Sequence, residues 1–67
     1  MPMQVGDVVR LKSGIAIVAG LDAKEYKYGI VLDSYEDDYG VLFYEVHWRD
    51  LVGWWNEGEL ELISEAG

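Results

Sequence analysis

Short β-branched and aromatic runs, broken by turn residues roughly every 8–12 positions, constrain this chain more than any other feature. Residues 8–12 (Val-Val-Arg-Leu-Lys) follow a Gly6-Asp7 turn pair and end at Ser13-Gly14. Residues 28–32, 41–49, 52–56 and 60–63 make further runs, of which 41–49 is the longest and is rich in Val, Phe, Tyr and Trp. Such side chains suit a pleated, half-buried surface, so each run reads as a strand. Residues 15–19 (Ile-Ala-Ile-Val-Ala) are apolar throughout and suit a strand buried on both faces or an extended part of a long loop. Residues 21–27 mix acid and base and read as an irregular loop or one helical turn, while 33–40 supply a hairpin connection. Residues 57–59 turn the chain again, and 64–67 are expected to fray. The pattern predicts one all-β domain over residues 1–67, a small five- to six-stranded antiparallel barrel without a convincing helix.

A barrel of this size has little core to spare. Below roughly 70–80 residues a single core seldom supplies more than about 3–5 kcal/mol without a staple. The chain has 67 residues and no Cys, so disulfides and thiolate metal sites are excluded, and one His is too few for a His-rich zinc site. Yet 51% of its residues are hydrophobic. Much apolar surface on a small unstapled domain points to a homo-oligomer or a permanent protein partner. Thirteen acidic residues against five basic ones give a net charge of −8. Nucleic-acid binding needs clustered Lys and Arg, so DNA, RNA and anionic membrane surfaces are disfavoured, and a basic protein partner fits better.

Strand parity sorts the side chains into faces, because successive residues point to opposite sides. In 41–49, Tyr44, Val46 and Trp48 share the face expected to be core, opposite Phe43, Glu45 and His47. In 8–12, Val9 and Leu11 point in, leaving Val8, Arg10 and Lys12 outside. In 28–32, Tyr28, Ile30 and Leu32 are expected inside and Val31 outside. Leu60, with Leu62 or Ile63, closes the core. Trp54 and Trp55 are adjacent, so one of the two faces outward.

Several segments together resemble the SH3-like barrels. Gly6-Asp7-Val8-Val9-Arg10-Leu11 resembles the first strand of KOW-type and photosystem-accessory barrels, and Tyr44-Glu45-Val46-His47-Trp48 resembles the central strand of Tudor and chromo-type barrels. Gly53-Trp54-Trp55-Asn56-Glu57-Gly58-Glu59-Leu60-Glu61-Leu62-Ile63 is similar to the end of an SH3 domain, where a Gly-aromatic-aromatic-Pro strand passes through a 3₁₀ turn into the last strand. Small barrels of this pattern also occur as short phage-encoded proteins, which would place the chain in a host cytoplasm. The resemblance implies a 3₁₀ turn before the last strand, with Trp55 inside and Trp54 outside. Asn56 stands where SH3 domains usually place the Pro of their peptide groove, and the basic character of KOW nucleic-acid binders is missing.

With Trp54 outside, Val8, Val31, Phe43, Val52 and Trp54 become candidates for an outer apolar patch. Monomers rarely expose large contiguous apolar patches, so a patch of this kind marks an interface, unless the 21–27 loop folds over it. Tyr26, Tyr35, Tyr39 and Trp54, with Asp37 and Asp38, are candidates for an aromatic cage around a Lys, Arg or methyl-lysine ligand. The competing reading is that these tyrosines only pack, ring buried and hydroxyl wet. The acidic run 33–38 lacks the ligand spacing and central Gly of an EF-hand, so no metal is expected. No serine sits in a nucleophile elbow, His47 is the only imidazole, and the eight Gly form no phosphate loop. No catalytic residue and no cofactor is therefore expected. No apolar run approaches the ~18 residues of a membrane span, and no secretory leader is evident, so a cytoplasmic chain is expected. The function expected is a non-catalytic protein–protein interaction module that self-associates through the outer patch. The alternatives are a reader of cationic, methyl-lysine or Pro-rich peptides and, behind it, a nucleic-acid-binding barrel.

Overall fold

The computed structural model describes residues 3–22 and 24–66. Its elements in chain order are β1 (Val8–Leu11), α1 (Ser13–Val18), β2 (Gly29–Glu36), β3 (Leu42–His47), β4 (Val52–Asn56), a 3₁₀ turn (Glu57–Glu59) and β5 (Leu60–Ser64). The strands form one antiparallel sheet in the order β4-β3-β2-β1-β5, which leaves β4 and β5 as its edges. The sheet does not close on itself. Among the described residues no helix is long and apolar enough to cross a membrane.

All five strands press side chains toward one core. Val9 and Leu11 of β1, Val31 of β2, Tyr44 and Val46 of β3 and Leu60 of β5 are buried there, with Ala16 and Trp48. Half-buried Trp55 of β4 packs against them. The expected parity of β1, β3 and the Trp pair matches these positions. That of β2 is reversed: Val31 is fully buried, whereas Tyr28, Ile30 and Leu32 are exposed. The reason is Gly29, which occupies an inward position with no side chain to announce it. Val9 lies opposite Gly29, and Val46 opposite Val31, so the inward row runs through 29 and 31. At Leu32 a bulge shifts the β2–β3 register, so that Asp33 faces Glu45 and Tyr35 faces Phe43. Strand β2 runs on to Glu36, and the hairpin tip shrinks to residues 37–40.

Residues 13–18 are a helix where a strand or extended loop is expected. One and a half turns suffice because the ends are closed by backbone bonds. The Ile15 and Ala16 amides donate to Lys12 O at 3.0 and 3.1 Å. Gly20, at φ +70°, takes the left-handed conformation that ends a helix; its N–H donates to Ile17 O at 3.1 Å and Leu21 N–H to Ala16 O at 2.9 Å, a Schellman closure. Only Ala16 is buried, while Ile17 and Val18 face solvent. A run this short carries no periodicity that distinguishes helix from strand.

The 3₁₀ turn before β5 lies where the SH3 resemblance implies one. Its start is fixed by Asn56 N–H, which donates to the Glu59 carboxylate at 3.0 Å, as in a capping box. The core ends at Leu60, because Leu62 and Ile63 are both exposed rather than one of them closing it.

Asp7 ties the two chain ends together. It is 4% exposed, and its carboxylate accepts from Gln4 N–H and Ala66 N–H, both at 2.7 Å. Within the 64–67 tail, Ala66 N–H is thus bonded to Asp7, and Gly67 lies outside the described residues. Asp7→Ala is expected to destabilise the domain by about 1–3 kcal/mol, since two charge-assisted bonds are lost from a buried position. Urea denaturation measures the loss, and amide hydrogen exchange at Gln4 and Ala66 should rise more than elsewhere in the chain.

Candidate interaction face

The outer side of β2, β3 and β4 carries exposed apolar side chains that the pairing of the strands brings together. Cross-strand pairing builds it in rows. Val8, Ile30, His47 and Val52 oppose one another in sequence across β1, β2, β3 and β4. The next row is Asp33, Glu45 and Trp54, and the third is Tyr35, Phe43 and Asn56. Ile30, Tyr35, Val52 and Trp54 are exposed, Trp54 by 44% of its surface, while Val8 and Phe43 are half-buried.

The aromatic residues of this face form a cluster. Tyr35 stacks on Phe43, with ring centroids 5.2 Å apart and an interplanar angle of 12°. Trp54 meets Tyr35 edge-on at 5.1 Å. Diagonal neighbours on one side of a sheet are within reach of aromatic side chains, so Trp54 bridges to Tyr35 across β3. The cluster is open to solvent through Tyr35 and Trp54. Beside it, Asp33 and Glu45 are directly opposed carboxylates, a like-charge pairing that is unfavourable in a sheet. No Lys or Arg belongs to these three rows.

Val31, expected on this surface, is core, for the reason given by Gly29. Ile30 and Leu32 take its place outside. The 21–27 loop does not cover the face. Its Tyr26 turns inward, edge-on to Trp48 at 5.2 Å and to Trp55 at 5.9 Å, and Trp48 and Trp55 meet at 5.3 Å. These three rings stop the mouth of the core.

The aromatic cage does not assemble. Tyr26 lies on the inner side, and Tyr39 is 92% exposed at the hairpin tip, in no ring pair among the described residues. The Asp37 carboxylate accepts from Tyr39 N–H and Val41 N–H, both at 2.9 Å, and so closes its own turn. Asp38 is exposed beside it. Of the cage candidates only Tyr35 and Trp54 meet. Sequence parity could have separated Tyr26 only if the loop's path had been legible, and a loop has no period.

Two polar groups in the core bear on stability rather than on binding. The Tyr44 hydroxyl accepts from Met3 N–H at 3.0 Å and lies 3.5 Å from a Glu57 carboxylate oxygen. Burial pushes its pKa above the usual 10.0, with the Glu57 charge adding to the rise and the Met3 N–H opposing it. Trp48 Nε1–H is buried with no hydrogen-bond partner among the described residues. Among those residues no group of three or more His, Cys, Asp or Glu is placed to hold a metal ion. Compared with protein-family models, curated proteins and solved structures, the chain matches none.

Proposed function

We propose that the chain is a non-catalytic protein–protein interaction module of the SH3-like barrel kind, and that it self-associates through the outer face of β2, β3 and β4. The observation that carries this reading is the cluster of Tyr35, Phe43 and Trp54, open to solvent and on the same side of the sheet as Ile30, Val52 and Val8. Aromatic side chains on a fixed scaffold bury much area at little entropic cost, and such anchors carry most of the energy at interfaces. The barrel reading is supported by the one-sided core: with only a six-residue helix beside it, a five-stranded sheet would have to curve around its inner side chains to bury them.

A second copy is the favoured occupant because a two-fold contact needs only one self-complementary patch, and this one reaches the edge strand β4 through its own Val52 and Trp54. Packed face to face about a two-fold axis, two copies would bury each other's aromatic clusters, with the edge of β4 at the rim of the contact. A standard interface takes about 800 Å² from each partner, roughly a sixth of the 4655 Å² that this chain exposes. Trp54→Ala is expected to weaken association by about 2 kcal/mol or more, roughly thirtyfold, as hot-spot truncations do. Folding stability should change little, because the ring is half outside. Sedimentation equilibrium reads the first effect and thermal denaturation the second.

A second reading is favoured by one observation, the opposed Asp33 and Glu45 beside Trp54 and Tyr35. Two carboxylates flanked by π faces suit an Arg or Lys side chain of a basic partner, in a chain of net charge −8. An Arg-rich peptide that binds wild type, and binds Asp33→Asn/Glu45→Gln weakly, would favour it over self-association.

A further inference from the structure

Three of the five basic side chains of this acidic chain line a single cavity. It measures about 280 Å³ and lies between β1 and the loop that precedes β2, walled by Arg10, Leu11, Ser13, Lys24, Tyr26 and Lys27. The loop is fixed against β1 by the Leu11 amide, which donates to Tyr26 O at 3.0 Å. Tyr26 is fixed in turn by its edge-on contacts with Trp48 and Trp55. The wall is therefore preformed on the side of the core.

The lining itself carries three basic side chains and no acidic one. Arg10 is paired, its Nη2 2.6 Å and its Nε 2.7 Å from a Glu61 carboxylate oxygen. Lys24 and Lys27 form no ion pair among the described residues, and the nearest recorded contact of the Lys27 ammonium is the Tyr28 ring, 5.8 Å to its centroid. The Asp22 carboxylate, which is not part of the lining, accepts from Lys24 N–H at 3.0 Å and keeps its negative charge. Like charges gathered at one cavity repel each other, and an anion between them turns that cost into attraction. Asp22, Glu25 and Glu61 lie close in sequence or contact to the lining, and the remainder of the net charge of −8 opposes an anion at longer range. Charges beyond about 8 Å are largely screened at physiological salt, in a molecule 29 Å across.

We infer that this cavity is a binding site for a small organic phosphate. A phosphate monoester carries two negative charges, matching the number of lining lysines without an ion pair among the described residues, and Ser13 offers a hydroxyl donor. Leu11 and the Tyr26 ring would face the organic part. The volume fits one small molecule, near the lower end of the range for ligand pockets. A nucleic-acid strand is a poorer match, since it demands a row of cations tracking successive phosphates.

The test is a ¹H–¹⁵N NMR titration of the full chain with phenyl phosphate, with inorganic phosphate and phenol run in parallel. Saturable shifts at Leu11, Ser13 and the 24–27 amides are expected, with a Kd on the order of 1 mM. Inorganic phosphate should bind the same residues more weakly, phenol should not, and the Trp54 indole signal should stay in place. Lys24→Gln/Lys27→Gln should keep the remaining spectrum and lose roughly tenfold or more in affinity, since two full charges leave the site. The proposal is overturned if phenyl phosphate gives no saturable shift, if phenol shifts the same amides equally, or if binding survives the double substitution. A single-stranded oligonucleotide that binds these residues more tightly than phenyl phosphate would also overturn it.

Discussion

Gly29→Ala is expected to leave the domain largely unfolded. A Cβ at this position would lie 2.5 Å from Val46 Cγ1 and 2.6 and 2.8 Å from two ring carbons of Trp48. Neither neighbour can give way: Val46 is fully buried, and Trp48 is 2% exposed and locked by Tyr26 and Trp55. Overpacking a filled core costs typically about 1–3 kcal/mol and at times more, and a contact this close with a fixed ring belongs at the upper end. A domain of this size has about 3–5 kcal/mol in all. Circular dichroism during urea titration should show no folded baseline, or a midpoint well below half that of wild type. An unchanged midpoint would mean that β2 does not present Gly29 to the core. Gly53, whose added Cβ would lie 2.8 Å from two Trp55 ring carbons, should be more forgiving, because Trp55 is only half-buried.

Trp48→Ala should be the most damaging truncation in the chain. The side chain fills the core between Tyr26 and Trp55, and truncating a buried Trp costs about 3–5 kcal/mol, which is the whole stability expected here. Trp48→Phe should cost less. It keeps most of the ring volume and removes an indole N–H that is buried without a partner. The contrast with Trp54→Ala is sharp. One Trp holds the fold, the other should matter for association alone. Thermal denaturation of the three variants in parallel gives the order Trp54→Ala, Trp48→Phe, Trp48→Ala from most to least stable. A Trp48→Ala variant that melts like wild type would contradict the packing described for the core.

Strands were the legible part of this sequence. The alternation in Tyr44, Val46 and Trp48 names their face correctly because every inward position there carries a large apolar group. It misleads in β2, where Gly29 is inward and silent while the neighbouring Tyr28, Ile30 and Leu32 are large and outward. That one glycine reverses the reading of four residues and moves Val31 from the outer patch to the core. The helix over Ser13–Val18 was hidden for another reason: its bonds are backbone closures around Lys12 and Gly20 rather than a side-chain pattern. Within the outer face, Phe43 could be read from parity and Trp54, with Val52 on its side, from the SH3 resemblance, whereas the stacking of Tyr35 on Phe43 depended on the bulge at Leu32, which no residue type announces. The basic cavity was invisible, because Arg10 and Ser13 lie far in sequence from Lys24 and Lys27 and only the path of the loop joins them.

The outer face carries the central claim, and a mass measurement over a concentration series tests it most directly. Multi-angle light scattering on wild type and Trp54→Ala, with circular dichroism to confirm that both are folded, compares each with the 7.6 kDa monomer. Wild type should rise toward twice that mass with concentration, while folded Trp54→Ala stays monomeric over the same range. A wild type that remains at 7.6 kDa throughout, or a Trp54→Ala variant that associates as wild type does, would contradict the account.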